Sequence, residues 1–193
     1  MNLQKLFEMQ RQLDEYIERE HPRQEGEDRL SKKILALMVE LGELANEWRG
    51  FKFWSHDQVP RTRVLVNRTT DDIGFKNIGP EHIKNPLLEE YVDGLHFLLS
   101  IGLEIAEPQK IDIARWNAAE ADNITEQFLH VMTHAINLGN TLRNNISYYP
   151  FEYEWLFLRY IQLGEMLGFT WEQIEEEYCK KNQINHERQD NGY

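Results

Sequence analysis

Apolar residues recur at three- and four-residue steps along most of the chain, which restricts it to amphipathic helices packed on one another. Leu3, Leu6, Phe7, Leu13 and Ile17 predict a first helix that ends near His21-Pro22, because a proline disfavours helix in the residue before it. A second helix runs from about Leu30 to Trp48, with Ile34, Leu37, Leu41, Leu44 and Trp48 as its buried stripe. A third begins near Pro86 and carries Leu87, Tyr91, Leu95, Leu98 and Leu99. A fourth pattern covers about Ala118 to Leu142. The fifth starts after Pro150, which suits a first helical turn, and ends by Gly168. Thr170-Trp171-Glu172-Gln173 has the pattern of a capping box and opens a last helix that reaches about Arg188.

Residues 55–83 interrupt this regularity with Pro60, Gly74, Gly79, Pro80 and the short β-like run Val64-Leu65-Val66. Compact domains rarely keep so long a connection without a use, and a lid, a dimer arm or a surface decoration would each fit. The expectation is an all-α fold: one domain over residues 1–193, a helical bundle with one irregular insertion at about 55–83. No apolar run is long enough to cross a bilayer, so no membrane partner is expected. The N-terminus has no apolar signal region, and the single cysteine, Cys179, excludes a disulfide framework or a four-cysteine zinc site. A cytoplasmic protein is expected. The net charge of -12 argues against nucleic acid as a partner.

The acidity has structure. Val39-Glu40-Leu41-Gly42-Glu43-Leu44-Ala45-Asn46-Glu47 sets three glutamates in an apolar helix with no lysine between them. On a helical wheel Glu40, Glu43 and Glu47 fall within about 60° of one another, beside the apolar face rather than opposite it. Glu90 and Asp93 repeat the arrangement on the third helix, and Phe97 continues their stripe. Gly42 and Gly94 lie among these acids at about 1 kcal/mol each in helix propensity, a cost that a close helix–helix approach would justify. Unit charges 4 Å apart repel by about 4 kcal/mol at an effective dielectric of 20, so gathered carboxylates need protons or cations. Carboxylates without histidine or thiolate favour a hard ion, Mg²⁺ or Mn²⁺, over zinc. A di-iron bundle needs Glu-x-x-His on two helices, and the chain offers one, Glu18 to His21, at a helix end.

The tail supplies the complementary charge. Lys181, Asn185 and Arg188 are four and three apart, so they share a face if the last helix continues. A lysine, an amide and a guanidinium there suit phosphate oxygens, and cations at a helix C-terminus also complement its dipole.

At these residues the chain resembles the dimeric all-α dUTPases, within the all-α NTP pyrophosphohydrolase superfamily. The resemblance lies in residues 36–55, 87–102 and 178–193, with Leu6 to Ile17 similar to the family's first helix. It implies that Glu40, Glu43, Glu90 and Asp93 bind metal, with Glu43 or Glu40 orienting a water or taking its proton. It likewise implies that Lys181, Asn185 and Arg188 contact phosphate, flanked by Gln189 and Tyr193. Gln10 and Asp14 match positions that meet the base, although asparagine is expected in place of Asp14 in some members. Phe97 is a candidate for excluding a ribose, Phe53 and Trp54 for an aromatic wall, and Glu47 for a further ion. His96 and Cys179 read as structural. The implied activity is Mg²⁺-dependent hydrolysis of dUTP, and of dUDP, to dUMP by a homodimer. The alternatives are a MazG-like or dCTP-type pyrophosphohydrolase, and an acidic helical module that binds a basic partner without chemistry.

Overall fold

Each predicted helix forms, and local caps decide where it starts. The computed structural model of the protein describes residues 2–66, 82–105, 121–144 and 149–192. Helix α1 spans Leu3–Glu20, its first turn capped by the Asn2 side chain, which accepts from the Lys5 amide at 3.1 Å. Helix α2, Arg29–Trp48, is capped by Asp28 through the Ser31 amide at 3.0 Å. It stops at Arg49, whose left-handed backbone (φ 65°) is fastened by guanidinium donation to the Asp57 carbonyl at 2.8 and 3.1 Å. The β-like run is real: β1, Val64–Leu65, pairs antiparallel with β2, Ile83–Lys84, in the register Val64 to Lys84. Gly74, Gly79 and Pro80 of the insertion lie outside the described residues.

Helix α3, Pro86–Ile105, is followed by α4, Ile124–Arg143, α5, Tyr149–Met166, and α6, Trp171–Asp190. The fourth helix begins later than its periodicity predicts. Residues 118–120 lie outside the described residues, and Asn123 is extended, with its side chain accepting from the Glu126 amide at 3.0 Å. The capping box of α6 forms in both directions, Thr170 to the Gln173 amide and Gln173 back to the Thr170 amide.

Helix α3 is the centre. It packs along α2 on one side and against α1, α5 and α6 on others, while α4 pairs with α5. Leu87, Tyr91, Val92, Leu95, Leu98, Leu99 and Ile101 are buried along it. Each such large apolar side chain contributes about 1.5–3 kcal/mol on leaving water. Helices α3 and α5 are clasped by tyrosines: the Tyr160 hydroxyl donates to the Tyr91 carbonyl at 2.6 Å, and the Tyr91 hydroxyl to the Tyr160 carbonyl at 3.2 Å. Gly94 leaves room for the Tyr160 hydroxyl, which a Cβ would strike. The close approach expected at this glycine is therefore to a tyrosine of α5 rather than to the backbone of α2. At Gly42 the expectation fails, because a Cβ there would have nothing within 4 Å among the described residues.

Candidate active site

The packing of α2 on α3 brings the acids together. Glu40 from α2 and Glu90 and Asp93 from α3 each offer a carboxylate oxygen, all within 4.8 Å of one another. Burial pushes the Glu40 carboxyl up to about 7, helped by the charges of Asp93 and Glu43. Burial likewise pushes Glu90 up to about 7, with Asp93, Glu43 and Glu40 adding to it. Asp93 is raised by burial despite Lys181, whose ammonium lies 2.5 Å from its Oδ2. Glu43 stands outside the trio but close enough for its charge to act on all three. Glu47 is engaged elsewhere: its Oε1 accepts from Arg61 at 3.1 Å, and its carbonyl accepts the Arg61 amide at 3.0 Å. That contact ties the insertion to the end of α2.

A trio of crowded, half-buried carboxylates raised in this way fits a hard divalent ion on the chemistry of the donor set alone. Each oxygen is a suitable ligand, and the mutual repulsion that adds to burial in raising the pKa values is what a cation would relieve.

Glu40 and Asp93 lie at one end of a cavity of about 750 Å³ that Lys181, Asn185 and Arg188 also line. The basic stripe is thus one face of α6, with the Arg188 guanidinium 3.4 Å from Asn185 Oδ1. Gln189 pairs with His21 at 3.1 Å, joining α6 to the end of α1. Tyr193 lies outside the described residues.

Gln10, Asp14 and Phe97 line the same cavity. Trp54 does not; it is 65% exposed and packs edge-on against Phe51 and Phe53. The left-handed Arg49 turns the chain away from α2 five residues earlier, so this aromatic group projects outward. His96 also lines the cavity and is held in place: its ring stacks on Tyr178 at 4.1 Å, its Nδ1 lies 2.8 Å from Gln10 Oε1, and burial pushes it down to about 3. Cys179, whose sulfur is 4.0 Å from that of Met9, is not among the residues lining the cavity.

Ser100, Lys33, Glu104 and Arg23 are among the cavity residues that escaped sequence reasoning. Ser100 donates to Asp14 at 2.5 Å, Lys33 lies 3.6 Å from Asp14 and 2.9 Å from Glu104, and Arg23 holds Glu104 at 3.0 Å. A signal existed for two of them. Lys33 is seven residues before Glu40 and Ser100 seven after Asp93, so each continues an acidic stripe by two helical turns.

No curated protein matches the chain. A family model described as dUTPase matches residues 2–78 and 74–193. Those two matches span the described helices and both halves of the carboxylate trio, and the chain belongs to the dUTPase family.

Proposed function

We infer that the protein is a dUTP diphosphatase that hydrolyses dUTP to dUMP and pyrophosphate with a divalent ion, Mg²⁺ or Mn²⁺, held by Glu40, Glu90 and Asp93. The observation that carries this reading is one cavity bounded by carboxylates for a cation and by Lys181, Asn185 and Arg188 for phosphates. A bound ion would supply neutralisation of the phosphate chain and activation of water. The chain's own groups do the rest. Lys181 and Arg188 stabilise charge that develops on the departing phosphates, the arginine with a planar fork and the lysine as a point charge. Glu43, beside the trio and outside it, orients the attacking water and takes its proton. Phe97 packs against the sugar. The same chemistry accommodates dUDP, whose phosphate chain is one unit shorter.

A homodimer is part of the proposal. Leu35 and Val39 on α2 and Leu129 and Ile136 on α4 are each at least half exposed, and each pair shares a helix face. Neighbouring apolar faces of this kind suit a second copy of the chain. Residues Ala114 to Trp116, the start of the apolar surplus expected at an interface, lie outside the described residues. The free thiol of Cys179 suits a reducing compartment and supports a cytoplasmic location. No helix among the described residues is long and apolar enough to cross a membrane.

Steady-state hydrolysis of dUTP, dCTP and dTTP in parallel, with and without Mg²⁺, tests the function. Turnover that needs Mg²⁺ and is fastest on dUTP is expected. Equal rates on dCTP would contradict the assigned base, and no turnover at all would favour a binding module.

A further inference from the structure

Seven residues along α3 from Asp93, about 10 Å at the helical rise, the cavity wall changes from carboxylates to a fully cross-linked polar set. Gln10 Oε1 receives the Tyr178 hydroxyl at 2.8 Å and faces His96 Nδ1 at 2.8 Å. An amide oxygen only accepts, so in this orientation His96 Nδ1 carries the proton, and flipping the Gln10 amide would set its oxygen against the Asp14 carboxylate. Its Nε2 therefore points to Asp14, donating to Oδ1 at 2.7 Å and keeping one N–H unused. Asp14 Oδ2 takes Ser100 at 2.5 Å and the Lys33 ammonium at 3.6 Å. Lys33 in turn is fixed by Glu104 at 2.9 Å, and its 3.6 Å ion pair with Asp14 is longer than a hydrogen bond, which leaves the ammonium N–H groups to donate.

The unused capacities run in order: a donor on Gln10, an acceptor on Asp14, a donor on Lys33. None can reverse, because the Asp14 carboxylate holds the amide with its N–H toward it and an ammonium never accepts. The imide edge of uracil presents acceptor, donor, acceptor, and matches all three. Cytosine presents an acceptor, a second acceptor and an amino donor, so its ring nitrogen would face a carboxylate and its amino group a donor. Thymine has the same edge as uracil.

We propose that Lys33 is a specificity-determining residue that, with Gln10 and Asp14, reads the imide edge of the base. This rests on the dUTP reading above, and places the base where the cavity runs away from the phosphate-binding groups. Sites that pair hydrogen-bonding groups with a ligand reject analogues that leave those groups mismatched, and this site has two mismatches for cytosine.

The test is kcat/KM for dUTP, dCTP and dTTP on wild type, Lys33→Met and Lys33→Arg. Lys33→Met lowers the dUTP to dCTP ratio by about 10- to 100-fold, the loss of one charged hydrogen bond, and leaves the dUTP to dTTP ratio unchanged. Lys33→Arg keeps a donor and keeps the preference. An unchanged dUTP to dCTP ratio in Lys33→Met, or an equal fall on all three substrates, overturns the proposal. If Lys33→Met fails to fold, Lys33→Gln carries the same expectation, since its carbonyl accepts the cytosine amino group. A wild type that does not prefer dUTP over dCTP would instead overturn the substrate reading.

Discussion

Glu40, Glu90 and Asp93 crowd like charges together at one end of the cavity, whereas farther along α2 and α3 Lys33 and Glu104 meet Asp14 of α1 and Arg23 of the α1–α2 connection in alternating sign. The consequences for protonation are opposite. At the first end burial and repulsion hold Glu40 and Glu90 up at about 7. At the second, burial pushes Glu104 up but Lys33 and Arg23 outweigh it, and its carboxyl lies below the ordinary value. The charges at the first end repel one another unless protons or a cation neutralise them, whereas at the second they already offset one another. The helices that build both are α2 and α3, running in opposite directions: Lys33 precedes Glu40 as Ser100 follows Asp93.

The largest effect that sharpens this contrast is on turnover. Glu43→Gln lowers kcat for dUTP by about 10²- to 10⁴-fold, the usual worth of a general base, with the circular dichroism spectrum intact. Wild-type rates in that variant would remove Glu43 from the chemistry.

Next is the response to pH. The folded protein keeps protons on Glu40 and Glu90 up to about 7, where the unfolded chain releases them near 4.5. The stability these groups contribute is therefore present below 4.5 and is lost as pH rises through 7 in protein stripped of divalent ions. The expected observation is a melting temperature in chelator that falls from about pH 5 to about pH 8, with Glu40→Gln flattening the fall. Glu104, held below its ordinary value, acts in the reverse sense and loses its contribution as pH falls. A Glu104→Gln variant that melts at the wild-type temperature at neutral pH would break the contrast.

The smallest effects distinguish the two helices that carry the acids. Gly94→Ala drives a methyl into the Tyr160 hydroxyl and destabilises by about 1–3 kcal/mol, the usual cost of overpacking. Gly42→Ala meets nothing among the described residues and gains about 1 kcal/mol of helix propensity. Chemical denaturation of both variants reads the two signs.

Periodicity made the helices legible, because each buries one face and punctuates its ends with Asn, Asp, Thr or Pro. It also made the carboxylates legible, since stripes of like charge beside apolar faces are unusual. It did not extend to Lys33 and Ser100, which lie on those stripes but look like ordinary solvated residues until α1 brings Asp14 against them. Trp54 stands apart from the cavity for a related reason. It follows the acidic helix closely in sequence, yet its position depends on a left-handed turn at Arg49, a residue with no preference for that conformation. Gly42 has a helical cost that no contact among the described residues explains.

The most direct test of the central claim is calorimetric titration of a non-hydrolysable dUTP analogue into wild type and Asp93→Asn, each with Mg²⁺ and with chelator. Tight binding by wild type only when Mg²⁺ is present, lost in Asp93→Asn, is the predicted result. Equal affinity in chelator, or an Asp93→Asn variant that still gains affinity from Mg²⁺ as wild type does, would contradict it.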